Sequence, residues 1–141
     1  MSLKIKASIY NEMCNFFKIS PFFEQGCILG KKDELVDSVF FDKGNNKEGE
    51  YEPNIDILNN VLNDWFDKDI EFIGMAHSHP NGLLLMSDAD EKYMRELGKI
   101  NDMDKLYFLI VSYDCDSKFL VKVYTLLDHE GDILEEDLII I

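Results

Sequence analysis

A nearly continuous apolar stretch at residues 70–76, interrupted only by Glu71, most restricts the folds open to this chain. A run of this length predicts a β-strand buried on both faces. Such a strand needs secondary structure packed on each side of its sheet. The 141 residues suit one domain and leave little room for a second. We therefore predict an α/β or α+β fold, in one domain over residues 1–141, with helices on the faces of a mostly buried sheet.

Apolar periodicity elsewhere in the chain supports this class. Ile9, Met13 and Phe16 recur at helical spacing and predict a helix over about residues 7–18, which Ser20-Pro21 would end. Further helices are predicted from Pro53 to the Asp67-Lys68-Asp69 segment and over residues 88–100, and strands over residues 3–5, 26–30, 35–41, 106–113 and 119–126. Residues 133–141 fit a last strand or a helix.

Charge and composition exclude several classes of function. Lys and Arg number 14 and Asp and Glu number 28, which gives a formal net charge of −14. A surface of this sign repels phosphate backbones and argues against nucleic acid as a ligand. The sequence contains no apolar run of about 18 residues, so we expect no membrane span. It also lacks the long apolar stretch of a signal peptide near its start, and we expect the protein in the cytoplasm.

The residues after the apolar stretch are those of a metal site. In an extended chain, side chains at i and i+2 point to the same side, so His77 and His79 can present two imidazoles to one ion. Pro80 keeps His79 out of helical geometry. The turn at Gly82 lets the chain reverse, which brings Asp90, in the first turn of the next helix, within reach as a third ligand.

Two neutral imidazoles and one carboxylate suit zinc. Three protein ligands leave a fourth position for water, and this is typical of a catalytic zinc site. Bound water then has a pKa lowered to about 7 and becomes a nucleophile. The pattern therefore predicts one catalytic zinc ion per chain.

Each part of the pattern also has an ordinary interpretation. His77 and His79 can be two partly exposed polar residues at the end of a strand. Ser87 can be the N-cap of the next helix, with Asp90 reaching back to the Ser87 amide in a capping box. The two interpretations of Asp90 do not exclude one another. The metal hypothesis rests on the conjunction of the imidazoles, the proline, the turn and the carboxylate within fourteen residues.

The spacing His77-x-His79-Pro80, six residues, then Ser87-x-x-Asp90 resembles the signature of the JAMM metalloproteases, also called the MPN or Mov34 family. The family motif includes an upstream glutamate before a strand of small and apolar residues, and Glu24 before Gly26-Cys27-Ile28-Leu29-Gly30 is similar to the bacterial form. The resemblance implies a single JAMM/MPN-like domain with a mixed central sheet flanked by helices and a cytidine-deaminase-like architecture.

The resemblance also implies a role for each residue. His77, His79 and Asp90 match the zinc ligands. Glu24 matches the general base that takes a proton from water and passes it to the leaving amine. Ser87 matches the hydroxyl that stabilises the oxyanion. The implied substrate is a peptide or isopeptide bond at the C-terminus of a ubiquitin-like or sulfur-carrier protein.

Two other functions are alternatives to a metalloprotease. Some members of the family are non-catalytic interaction modules, but those usually lose metal ligands, whereas every motif position is filled here. A DNA-repair branch shares the His-x-His-Pro spacing, and the negative charge argues against that role. A zinc deaminase is excluded because Pro-Cys-x-x-Cys is absent. The apolar loop at residues 83–86 is predicted to cover the site or to dock a partner.

Overall fold

The computed structural model describes residues 2–18, 24–44 and 51–141. These residues form three helices and seven strands. In chain order they are β1 Ser2–Ile5, α1 Ala7–Lys18, β2 Gly26–Lys32, β3 Leu35–Asp42, α2 Ile55–Asp67, β4 Glu71–Ser78, α3 Asp88–Ile100, β5 Lys105–Tyr113, β6 Phe119–Leu127 and β7 Ile133–Ile140.

The strands form one mixed sheet in the order β1-β3-β2-β4-β5-β6-β7. The sheet closes into a barrel because the short strand β1 pairs in parallel with both β3 and β7. Strand β2 is antiparallel to β3 and β4, whereas β4 and β5 are parallel. The predicted α/β class with a mixed sheet is confirmed. The register of β2 against β4 places the start of β2 beside the end of β4, with Gly26 opposite His77.

Each face of the sheet is covered by its own apolar core. Ile9, Met13 and Phe17 of α1 pack with inward side chains such as Cys27 and Ala76. Leu58 and Trp65 of α2, and Met94 of α3, pack on the opposite face with Ile28, Met75 and Phe108. Because side chains alternate along a strand, His77 lies on the same face as Met75, under the two later helices.

Gly74 allows β4 to lie close against β5. Its φ is +154°, and a Cβ added there would lie 1.8 Å from the carbonyl oxygen of Tyr107 on β5. No side chain fits at that separation. A substitution at Gly74 would therefore push apart the two parallel strands whose C-terminal ends support the histidines.

Several predicted boundaries differ from the structure. Strand β4 continues through Ser78, so His77 lies inside the strand and not after its predicted end at Ala76. Helix α2 begins at Ile55 and not at Pro53. The last segment, left open as strand or helix, is a strand. The predicted helix stop at Ser20-Pro21 lies outside the described residues. Among the described residues, no helix has the length and apolar character needed to cross a membrane.

Candidate metal centre

His77 and His79 lie at the end of β4 and are both buried, with 5% and 8% of their surface exposed. The backbone N–H of His79 donates to the carbonyl of Val111 at 2.9 Å, which extends the contact of β4 with β5. The carbonyl of His79 accepts from the Ser112 hydroxyl at 2.6 Å. These two hydrogen bonds keep the chain extended past the end of β4, as expected for the residue that precedes Pro80.

Asp90, in the first turn of α3, faces both imidazoles. Its Oδ1 lies 3.3 Å from Nε2 of His77, and its Oδ2 lies 3.1 Å from Nε2 of His79. One potential ligand atom from each of the three residues lies within 4.8 Å of the others. The structure therefore brings together the three residues that the sequence predicts as ligands.

The same carboxylate also caps its helix. Oδ2 of Asp90 accepts the backbone N–H of Ser87 at 2.9 Å, and the Ser87 hydroxyl accepts the backbone N–H of Asp90 at 3.0 Å. This is the capping box that the sequence offers as the ordinary interpretation. Both interpretations hold at once, because the cap fixes the Asp90 carboxylate in the orientation that faces the histidines.

A metal ion fits the donor atoms of this group. Two ligands of a tetrahedral metal with bonds of 2.0–2.1 Å lie about 3.3 Å apart, close to the observed nitrogen–oxygen separations of 3.3 and 3.1 Å. Nε2 of His77 and Nδ1 of His79 are buried and have no hydrogen-bond partner within the described residues. Burial of an unpartnered polar atom is costly, and a metal bond to His77 Nε2 would remove one of these two costs. The His77, His79 and Asp90 group can hold a metal ion.

The charges in the group favour a cation. Burial alone would raise the pKa of Asp90, but its contacts with His77 and His79 outweigh this and hold the pKa well below its usual range. Burial alone would lower the pKa of His79, and the nearby Asp90 and Glu24 carboxylates raise it instead. Asp90 is therefore ionised near neutral pH, and a metal would compete with a proton for His79.

Glu24 reaches the group from the start of β2. The backbone N–H of Gln25 donates to the Ser78 hydroxyl at 3.0 Å, and the Ser78 N–H donates to the Gln25 carbonyl at 2.8 Å. These bonds continue the β2–β4 pairing by one residue and place Oε1 of Glu24 3.7 Å from Nε2 of His79. Burial is the largest influence on Glu24 and raises its pKa, with Asp90 adding and both histidines opposing.

All five residues predicted from the sequence line one cavity of about 600 Å³. They are Glu24, His77, His79, Ser87 and Asp90. The cavity is also lined by two tyrosines, Tyr51 and Tyr93, and by the apolar side chains of Leu83, Leu85 and Met86. No sequence pattern marks Tyr51, which follows a polar stretch of the sequence, and Tyr93 is marked only as part of the apolar face of α3.

Several solved proteins have a fold similar to that of this chain. No protein-family model and no curated protein matches the sequence. A solved protein of Desulfitobacterium hafniense has a TM-score of 0.76 at 18% identity, over 100% of this chain and 93% of that one. A JAB1/MPN domain protein of Archaeoglobus fulgidus has a TM-score of 0.59 at 19% identity, over 98% of both chains.

A further solved structure is described as JAMM, a metalloprotease-like zinc site in the proteasome and signalosome. It aligns with a TM-score of 0.56 at 18% identity, over 99% of both chains. The alignments cover nearly the whole chain at low identity, so they establish the architecture. The chain has the fold of JAB1/MPN domain proteins, as the sequence motif predicts.

Proposed function

We propose that this chain is a zinc-dependent peptidase or isopeptidase whose metal is held by His77, His79 and Asp90. The observation that carries the proposal is the convergence of three potential ligand atoms within 4.8 Å, with the Glu24 carboxylate beside them. Two imidazoles and one carboxylate favour zinc and leave a coordination position open. The likeness in fold to a metalloprotease-like zinc site supports the proposal.

Zinc, when bound, would supply Lewis-acid activation of water and of the scissile carbonyl. Glu24 is suited to accept a proton from the attacking water and to deliver it to the amine leaving group, because its raised pKa brings it closer to working pH. The Ser87 oxygen already accepts the Asp90 N–H, so its own O–H remains available to donate to the developing oxyanion.

The substrate we propose is the C-terminal peptide or isopeptide bond of a ubiquitin-like or sulfur-carrier protein. The formal net charge of −14 favours a partner with a basic face. The three cysteines are free thiols, which fits a reducing compartment such as the cytoplasm. A cavity beside the metal ligands with apolar and aromatic walls suits an extended chain end better than a folded surface.

The test compares the zinc-loaded wild type with Glu24→Gln, which keeps the shape of the side chain and removes its charge. The substrates are a ubiquitin-like protein and a sulfur-carrier protein, each with a chromogenic amide at its C-terminus. We expect wild-type turnover and a loss of at least about 100-fold in Glu24→Gln, with unchanged zinc content. Glu34→Gln, on an exposed turn, is the matched control and should retain full activity.

Two outcomes would contradict the proposal. A wild type that takes up no zinc after reconstitution would remove its basis. A wild type that binds zinc and both proteins but cleaves neither would favour the alternative, a non-catalytic MPN-type interaction module. Full activity in Glu24→Gln would leave a metallohydrolase and reject Glu24 as its proton acceptor.

A further inference from the structure

Asp42 is a buried carboxylate outside the metal group, and it accepts hydrogen bonds from three residues that follow it in the chain. Asp42 is the last residue of β3 and is 8% exposed. Its Oδ1 accepts the N–H of Gly44 at 2.9 Å. Its Oδ2 accepts the hydroxyl of Tyr51 at 3.0 Å and the N–H of Asn54 at 2.9 Å. The Asp42 carboxylate therefore holds the backbone at Gly44 and at Asn54, and it also holds the hydroxyl of Tyr51.

Tyr51 connects this carboxylate to the metal group. Its ring lies perpendicular to the His77 imidazole, at 90° with 6.1 Å between ring centroids, and it forms part of the cavity wall. Gly26 makes room for the ring, because a Cβ there would lie 2.5 Å from the Tyr51 side chain. The position of the ring is therefore defined by Gly26 on one side and by Asp42 at its hydroxyl.

Aromatic packing orients His77. The centroid of the Phe108 ring lies 5.0 Å from that of the imidazole, at an interplanar angle of 76°. The Tyr51 ring packs against the same imidazole. A metal-bound histidine is commonly oriented by a hydrogen bond to a neighbouring acceptor. Nε2 of His77 has no hydrogen-bond partner within the described residues and is free to bind metal, and the rings of Tyr51 and Phe108 pack against the imidazole that carries it.

We propose that Asp42 is a positioning residue of the metal centre, which holds Tyr51 so that its ring fixes the orientation of His77. The inference rests on the proposed function in one respect, that a metal binds at His77, His79 and Asp90. Tyr51 acts through its ring and not as an acid, because its hydroxyl proton is already donated to Asp42. Removal of the carboxylate or of the hydroxyl should therefore have the same effect on metal binding.

The alternative is that Asp42 only supports the start of α2. Asn54 is the residue before that helix and makes no side-chain cap, so the Asp42 bond to its N–H stabilises the helix start directly. A purely structural Asp42 would affect the unfolding of the protein and leave the metal affinity of the folded protein unchanged. The experiment therefore measures the two quantities separately.

The test uses Asp42→Ala, Tyr51→Phe and the double variant, with Asp64→Asn as the control. Asp64 is exposed and pairs with Lys68 on α2. Affinity for Zn²⁺ is measured by competition with a chromogenic chelator, the ligand geometry by the visible absorption of Co²⁺, and stability by thermal unfolding of the metal-free protein. We expect each single variant to weaken Zn²⁺ binding about tenfold and to shift the Co²⁺ spectrum.

The double variant decides between the two models. If Asp42 acts through Tyr51, the double variant binds Zn²⁺ as weakly as Asp42→Ala and no more weakly. If Asp42→Ala fails to fold, Tyr51→Phe alone gives the answer, because it keeps the ring and removes only the hydroxyl. Affinities within twofold of wild type in both single variants, or losses that multiply in the double variant, overturn the inference and leave the proposed function intact. A wild type that binds no metal overturns both.

Discussion

The buried polar atoms that lack hydrogen-bond partners in the described part of the chain form two groups on opposite faces of the sheet. Nε2 of His77 and Nδ1 of His79 lie at the C-terminal end of β4. The hydroxyl of Thr125 and both carboxylate oxygens of Glu136 form the other group. Thr125 and Glu136 lie on the face of the sheet that carries Val123, because Glu136 pairs with Val123 and side chains alternate along each strand, whereas His77 lies on the opposite face with Met75.

The two groups differ in the charges that surround these atoms. Glu136, with a side chain 3% exposed, has Nζ of Lys105 3.5 Å from its Oε1, and Lys105 also lies over the ring of Tyr107. In the other group, Asp90 faces the imidazoles of His77 and His79. Glu136 already has Lys105 as its counter-ion. Asp90 and the two imidazoles instead form a set of potential metal ligands. Unpartnered buried atoms alone therefore do not identify a metal site, and the neighbouring charges decide.

The largest effect should come from Asp90→Asn. The asparagine oxygen can still accept the Ser87 N–H and keep the helix start, but the neutral side chain loses the charge that holds the metal. We expect zinc content to fall from about one ion per chain to near zero with the helical circular dichroism unchanged. Plasma mass spectrometry of the desalted protein measures this, with His77→Ala in parallel. A full zinc equivalent in Asp90→Asn would mean that the charges around the two groups do not decide which of them binds metal.

On the opposite face of the sheet, Glu136→Gln should change stability and leave zinc content at the wild-type value. The substitution leaves Lys105 without its counter-ion, and we expect the free energy of unfolding to fall by about 1–2 kcal/mol, because Lys105 is partly exposed. Urea unfolding of the metal-free protein measures the change. The apolar pair Lys105→Met with Glu136→Leu should recover most of the loss. Loss of zinc in Glu136→Gln would show that the Glu136 group affects metal binding and would contradict the comparison.

The ligand group could be predicted from the sequence because it is local. His77, His79 and Asp90 lie within fourteen residues, and the bounds of α3 follow from the same segment, since Ser87 and Asp90 mark its start. Glu24 lies far away in sequence, and only the family resemblance points to it. The pairing that carries Glu24 to His79 depends on the register of β2 against β4, which no local pattern encodes.

Other features depend on contacts that a sequence pattern does not reveal. The predicted strand ended at Ala76 because polar residues follow it, yet Ser78 is tolerated in β4 since its hydroxyl accepts the Gln25 N–H. The barrel closes because β1, only four residues long, pairs on both sides. Asp42 stabilises the chain through partners up to 12 residues away, and no periodicity distinguishes it from the other acidic residues.

The loop at residues 83–86 gives a smaller test, because its leucines alternate between core and solvent. Leu84 packs against the α2 and α3 core, and its carbonyl accepts the Tyr124 hydroxyl at 2.9 Å. Leu85 lines the cavity and is 65% exposed. We expect Leu84→Ser to lower the free energy of unfolding by about 1–2 kcal/mol, and Leu85→Ser by less than about 0.5 kcal/mol. Urea unfolding compares them.

Leu85→Ser also tests the docking role predicted for this loop. If the exposed leucine contacts substrate, kcat/KM for a matched substrate should fall severalfold while stability stays the same. Turnover equal to that of the wild type would reject docking at Leu85. Leu134→Ser, an exposed leucine on β7, controls for a general effect of lost apolar surface.

The smallest expected effect is that of Ser87→Ala on metal binding. The substitution removes the hydroxyl that accepts the Asp90 N–H, and the loss of this cap should lower the free energy of unfolding by about 1 kcal/mol. The backbone N–H of Ser87 still donates to the Asp90 carboxylate, so zinc content should stay near one per chain, as measured by plasma mass spectrometry. Ser87→Thr should recover the stability because threonine keeps the hydroxyl. Loss of zinc in Ser87→Ala with full binding in Ser87→Thr would instead show that the capping hydroxyl, and not the backbone contact, directs Asp90 towards the histidines.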